Sequence, residues 1–185
     1  MNYGQQENTR VKEQLVNGLF EELQHKPFSE IRIASLIKTA GVGRTSYYRN
    51  FDSKEDVLNY YLSQLIMQRR KQKPIIRWTR TSFTDDLTET FKFFLKQKKR
   101  FLLLFNAGLS AYIFEYFHST ANNAKTEERG NEFLKKPYLL AFVAGALPSV
   151  LFEWLKRDSP ESPEEMAKMV VALLPAELFT DETHQ

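Results

Sequence analysis

Apolar residues recur along this chain at intervals of three and four, and no stretch shows the strict alternation of β-branched and polar residues that a half-buried strand needs. The pattern predicts an all-α fold. Val11, Leu15, Leu19 and Leu23 repeat every fourth residue with Val16 and Phe20 beside them. A first amphipathic helix is therefore expected over about residues 9–24, stopped by His25-Lys26-Pro27. A short second helix is expected over about 32–39 with Ile33, Leu36 and Ile37 inward, and Gly41 follows it as a residue that accepts the left-handed conformation of a helix end. A third helix is expected over about 43–50.

Ser53 and Asp56 form the [ST]-x-x-[DE] signature of a capped helix start just ahead of Val57, Leu58, Tyr61, Leu62, Leu65 and Ile66. This fourth helix is expected to run over residues 53–73, with Pro74 at its end. A loop at Thr79–Thr84 then leads to a fifth helix, begun by Asp85-Asp86 and carrying Leu87, Phe91, Phe94 and Leu95. Residues 99–118 are expected to form one or two aromatic-rich helices, residues 119–131 a loop or frayed end, and residues 133–157 a long apolar helix. Ser162 as N-cap, Pro163 in the first helical position and Glu165 closing a capping box launch the last helix. Met166, Met169, Val170, Leu173 and Leu174 then line one of its faces.

The 185 residues suffice for one large domain or a small domain fused to a medium one. With 42% apolar residues, 14% aromatics, 7 Gly and 7 Pro, the composition is that of an ordered globular protein. The absence of Cys excludes a disulfide framework, thiolate catalysis and Cys-ligated zinc, and suits a reducing compartment, so a cytoplasmic location is expected. Residues 1–10 are polar with no apolar stretch after them, which gives no expectation of a secretory leader. The run Leu139–Phe152 falls short of the roughly 20 residues a bilayer helix needs and contains Pro148 and Ser149, so a buried helix is expected there and no membrane partner.

The net charge of +3 is too mild to argue for a polyanion, but its distribution is uneven. Lys and Arg against Asp and Glu number 8 against 8 over residues 1–60, 11 against 3 over 61–100, and 7 against 12 over 101–185. A helix, a Gly-containing turn and a second short helix within residues 32–51 make the layout of a helix-turn-helix, whose second helix enters the DNA major groove. The run Ala40-Gly41-Val42-Gly43-Arg44-Thr45-Ser46-Tyr47-Tyr48-Arg49-Asn50-Phe51, followed by Ser53-Lys54-Glu55, resembles the DNA-binding segment of the TetR family of one-component bacterial regulators. The resemblance covers residues 9–65 and continues more loosely through the helical remainder. It implies a three-helix DNA-binding domain over residues 1–52, continuous through helix 53–73 with a helical effector-binding and dimerisation domain over 53–185. Arg32 and Gly43 depart from the family pattern, which places a Ser or Thr cap before the second helix and a Ser before the third.

Helical spacing puts Tyr47 and Phe51 on one face, to be buried with Val42, and directs Thr45 and Arg49 the other way. Arg44 lies in the first turn, where a guanidinium matches the two acceptors of guanine. Ser46, Tyr48 and Asn50 flank that face as candidates for phosphate contacts, and Lys54 sits at a helix start that favours an anion. The expected DNA-binding set is thus Arg44, Thr45, Ser46, Tyr48, Arg49, Asn50 and Lys54, acting on a pseudo-palindromic double-stranded operator.

Competing chemistry has little to stand on. His25, His118 and His184 lack a second ligand at helical spacing, and no metal, cofactor, phosphate loop or nucleophile motif is legible, so an enzyme is not expected. Eight of the 15 Phe fall between Phe83 and Phe117. Most read as core, while Asn106, Ser110, Tyr112 and Tyr116 are the polar candidates for a small-molecule effector pocket. Leu139, Phe142, Val143, Leu147, Val150 and Leu151, with Met169, Val170, Leu173 and Leu174, are the candidate dimer interface, as two helices per subunit would build a four-helix contact. A ligand-controlled homodimeric repressor is the leading expectation. A coactivator or partner-dependent regulator of the same fold is the alternative, with a helical lipid carrier or enzyme behind it.

Overall fold

The computed structural model describes residues 3–70, 79–123 and 137–179. Among the described residues there is no strand. In chain order the elements are α1 (Tyr3–Glu22), a 3-10 turn (Phe28–Glu30), α2 (Ile33–Ala40), α3 (Arg44–Tyr48), α4 (Lys54–Arg70), α5 (Arg80–Lys96), α6 (Lys98–Asn106), α7 (Ser110–Asn123), α8 (Pro137–Lys156), α9 (Pro163–Leu173) and a final 3-10 turn (Ala176–Leu178). They fall into two compact units. One runs to Gln68 and takes in Leu103–Leu109, and the other comprises Arg69–Leu102 and Ser110 onward.

In the first unit α1 packs on α2 and α3 through the expected stripe: Val11, Leu15, Val16, Leu19, Phe20 and Leu23 are buried with Leu36, Tyr47, Phe51, Leu58 and Leu62. The Phe20 and Tyr61 rings meet edge to face at 4.8 Å. Gly18 sets how closely α1 and α2 approach, because a Cβ placed there would lie 2.8 Å from Ala40 Cβ and 2.9 Å from the Ala40 Cα and N. Beside this contact the buried Glu22 carboxylate accepts hydrogen bonds from the hydroxyls of Ser35 (2.8 Å) and Thr39 (2.5 Å), and pairs with Lys26. The Lys26 bond, the Thr39 and Ser35 hydroxyls and the Lys26 charge together hold the carboxyl down at about 2, against the opposing effect of burial.

The chain punctuation is largely local. Gly41 adopts the left-handed conformation (φ 65°) at the end of α2. Arg32 and Gly43 occupy the N-cap positions of α2 and α3 in extended conformations, and neither supplies a side-chain cap. At the head of α4 the Ser53 N–H donates to Asp56 Oδ2 (2.8 Å) while the Asp56 N–H donates to Ser53 Oγ (3.1 Å). This reciprocal capping box lowers the Asp56 pKa. Of the expected extension of α4 to residue 73, residues 71–73 lie outside the described residues, as does Pro74.

In the second unit α5 packs on α9, and α7 on α8. Here one expectation is corrected: Thr79–Thr84 is not a loop before a helix start at Asp85. Thr79 Oγ1 accepts from the Ser82 N–H and Ser82 Oγ accepts from the Thr79 N–H, each at 3.1 Å, so α5 begins at Arg80. A Ser in place of Glu at the third helical position hid this box. Asp85 and Asp86 consequently sit in the second turn, where Asp86 accepts from Arg69, and Arg69 Nε also donates to Thr90 Oγ1 (2.9 Å). Residues 99–118 form two helices, separated by a break at Gly108 (φ 82°). Helix α1 begins at Tyr3, six residues before its expected start near residue 9 and eight before Val11, the first residue of its apolar stripe. Residues 119–123 continue α7, and residues 124–136 lie outside the described residues.

Aromatic rings dominate this second core. Phe94 meets Phe101 and Phe117 at 5.4 and 5.7 Å, Phe152 meets Phe101 and Phe117 at 5.8 Å each, and Phe91 meets Trp154 at 5.2 Å. Trp154 Nε1 donates to the Glu161 carbonyl at 3.1 Å, which ties the end of α8 to the loop before α9. The start of α9 matches its sequence signature: Ser162 and Glu165 cap each other and Pro163 takes the first helical position. No helix among the described residues is long and apolar enough to cross a membrane.

Candidate nucleic-acid interface

Helix α3 is one and a half turns long, too short to persist alone, and is held by what it buries. The Tyr47 N–H donates to the Gly43 carbonyl (3.0 Å), and the Phe51 N–H to the Tyr47 carbonyl (2.9 Å). The Tyr47 ring is fully buried and lies 6.4 Å from the Phe51 ring, which in turn meets Tyr60 at 5.8 Å. Its hydroxyl has no hydrogen-bond partner among the described residues. Burial pushes this phenol up to about 12, with Tyr48 and the carboxylates of Asp56, Glu55 and Asp52 adding to the effect.

The opposite side of α3 is open. Arg44, Thr45 and Arg49 are exposed, Tyr48 is 48% exposed and Ser46 is half-buried. At 100° per residue the four exposed side chains cover an arc of about 140°. Among the described residues Arg44 makes no hydrogen bond or ion pair, and its guanidinium lies 5.7 Å from the centre of the Tyr48 ring. Arg49 faces the field of Glu7 near the start of α1. The Glu7 carboxyl is lowered first by its hydrogen bonds from Arg10 (2.7 and 3.0 Å), then by the charges of Arg10 and Arg49.

Two residues expected to contact phosphate have their donors engaged inside the unit. The Asn50 amide donates to the Ser46 carbonyl at 2.8 Å and so closes the end of α3. The Lys54 ammonium has three N–H groups and meets three carbonyls, those of Phe28 (2.7 Å), Ser29 (3.2 Å) and Ile31 (3.0 Å), while lying 4.7 Å from the Phe28 ring centre. This interaction satisfies the carbonyls around the 3-10 turn from a residue more than twenty positions away. No sequence signal at Lys54 itself announces it.

The other expected residues divide as follows. Ser110, Tyr112 and Tyr116 are half-buried on α7, but two residues of helix turn Ser110 about 200° from Tyr112, so only the two tyrosines share a face. Asn106 is exposed and belongs to the Leu103–Leu109 segment of the first unit. Of the apolar residues on α8 and α9, Val143, Leu151, Val170 and Leu174 are buried within the unit and Leu147 and Val150 are half-buried. Phe142 (53%), Met169 (47%) and Leu173 (74%) are exposed, as is Tyr138 (90%), which sequence reasoning passed over. Leu139 lies on α8, outside the residues whose side chains are described. Among the described residues no group of three His, Asp or Glu could hold a metal ion, and His184 lies outside them.

Residues 81–175 match the TetR family model described as the C-terminal region of transcriptional regulators. Among solved structures, a TetR transcriptional regulator from Streptococcus agalactiae 2603V superposes with a TM-score of 0.67 at 20% identity, over 92% of this chain and 96% of that one. The dihydroxyacetone kinase operon activator DhaS superposes with a TM-score of 0.57 at 14% identity, over 91% and 96%. At these identities the two structures share the fold alone. No functionally curated protein matches the chain by sequence. The helix-turn-helix geometry of α2 and α3, the all-helical architecture and the match over residues 81–175 together place the chain in the TetR family of transcriptional regulators, which are transcription factors and not enzymes.

Proposed function

We propose that this regulator is a homodimeric repressor that binds a pseudo-palindromic operator and is released by a small-molecule effector. The observation that carries the reading is the face of α3: Arg44, Thr45, Tyr48 and Arg49 stand exposed on a short helix that the buried Tyr47 holds rigidly. A guanidinium without an ion-pair partner among the described residues is suited to the O6 and N7 of guanine. Thr45, Ser46, Tyr48 and Arg49 offer hydroxyls and a cation to phosphate oxygens. Asn50 and Lys54 act one step back, by holding the end of α3 and the turn before α2.

Dimerisation is supported by the exposed Phe142 on α8 and the exposed Met169 and Leu173 on α9. Two-fold symmetry would place two copies of α3 in successive major grooves, with half-sites about 34–36 Å apart or a multiple of that. An effector seated among the aromatic side chains of the second unit, with Tyr112 and Tyr116 as its polar contacts, would act by favouring the arrangement that fits DNA poorly. Repression needs only occupancy and release, whereas activation needs a further surface for a protein partner. The likeness to an operon activator makes activation the second reading.

Selection of bound duplexes from a random DNA pool tests the assignment. An inverted repeat should be enriched, with affinity falling steeply with salt as counterions are displaced. No enrichment would refute DNA recognition, a single unrepeated site or a monomeric mass by light scattering would refute the dimer, and reporter expression that rises with the regulator would replace repression by activation.

A further inference from the structure

We propose that Tyr48 is a positioning residue for base recognition: its exposed ring holds the Arg44 guanidinium in the attitude in which it reads guanine. The inference rests on the DNA-binding reading above and goes beyond it, because there Tyr48 serves only through its hydroxyl. Arg44 and Tyr48 are four residues apart on α3 and so lie one above the other on the same face. Their separation of 5.7 Å falls within the range over which a ring quadrupole attracts a guanidinium.

The Tyr48 ring is itself held from behind. It meets the Tyr47 ring edge to face at 5.1 Å and 89°, and the Tyr47 ring is fully buried. Rigidity thus passes from the core to Tyr47, from Tyr47 to Tyr48, and from Tyr48 to the arginine. An aromatic partner suits this task better than a carboxylate would. A carboxylate, such as the one Glu7 presents to Arg10, engages the N–H groups that a base edge needs, whereas a ring attracts the cation and leaves its five donors available. Two donors can then meet O6 and N7 of guanine with less ordering left to be done on binding.

Sequence selection by the full-length protein and by the Tyr48→Phe, Tyr48→Leu and Arg44→Ala variants tests this, with titration of the enriched duplex and of one carrying another base at the Arg44 position. Tyr48 is 48% exposed, so the variants should retain wild-type helical content; should Tyr48→Leu lose it, Tyr48→Gln takes its place. Tyr48→Phe keeps the ring, so affinity should fall alike for all sequences while the guanine preference stays. Tyr48→Leu should lower that preference by roughly 2- to 30-fold, toward the Arg44→Ala profile. Wild-type preference in Tyr48→Leu would overturn the inference, as would an equal loss in Tyr48→Phe, which would assign the effect to the hydroxyl. An enriched site with no guanine lost in Arg44→Ala would overturn it while leaving DNA recognition intact, and no enriched site at all would overturn both.

Discussion

Gly18→Ala puts the packing of α1 on α2 to its sharpest test, because two effects of opposite sign compete at one methyl group. Gly18 lies inside α1, where Ala is favoured over Gly by about 1 kcal/mol through the smaller loss of backbone entropy. The added Cβ would stand 2.8–2.9 Å from the Cβ, Cα and N of Ala40, well inside the ~3.5–4.0 Å at which carbon atoms attract. Two of those three atoms are backbone, so no rotamer change relieves the clash and α2 must move away by up to ~1 Å. The same movement would stretch the bonds from Ser35 and Thr39 to Glu22. Overpacking costs about 1–3 kcal/mol, and a clash that only a backbone shift relieves falls in the upper part of that range, about 2–3 kcal/mol, so the net effect should be a loss of about 1–2 kcal/mol. For a chain of this size that lowers Tm by roughly 2–8 °C in thermal unfolding followed by circular dichroism. Gly145→Ala is the control, since Gly145 is also helical but a Cβ there meets nothing within 4 Å. It should leave Tm unchanged or raise it. A Gly18→Ala protein as stable as wild type, or more so, would refute the argument that α1 and α2 touch through this glycine.

Glu22 is held at about 2, below its ordinary value of 4.5, so its stabilisation is complete above about pH 4.5 and is lost as pH falls toward 2. Glu22→Gln should cost about 1.5–3 kcal/mol at pH 7 and flatten the acid limb of the stability curve, measured by urea titration at several pH values. Lys54→Ala frees three carbonyls and should destabilise the first unit by about 1.5–3 kcal/mol, with a salt slope of DNA binding that stays near wild type because no direct phosphate bond is lost. Loss of one unit of slope per half-site at unchanged Tm would instead make Lys54 a phosphate contact. Tyr47→Phe removes a buried hydroxyl that lacks a partner among the described residues, and so should be neutral or stabilising by up to ~1 kcal/mol in the same unfolding assay. A loss of stability there would reveal a partner for the hydroxyl.

Local chain chemistry is enough to write the helical class, the helix starts and stops and the exposed face of α3, because each of these is contained within about one turn of chain. The Ser53–Asp56 and Ser162–Glu165 boxes join residues three apart, and the left-handed turn at Gly41 needs only the missing Cβ. The burial of Tyr47 and the exposure of Arg44 and Thr45 follow from a period of 3.6 residues. Where the local signal was unusual it misled: Ser82 in place of a Glu concealed the box that starts α5 at Arg80. Pairings across longer separations are set only when the helices pack. Glu22 meets Thr39 seventeen residues on, Arg69 meets Asp86 at the same spacing, and Lys54 reaches back twenty-six residues to Phe28. The division of the α8 and α9 stripes into buried Val143 and Val170 and exposed Phe142 and Leu173 is of the same kind. Helical period states that a face is apolar, but which residues of that face are covered is set by where a neighbouring helix crosses it, and that crossing depends on the side chains of both helices together.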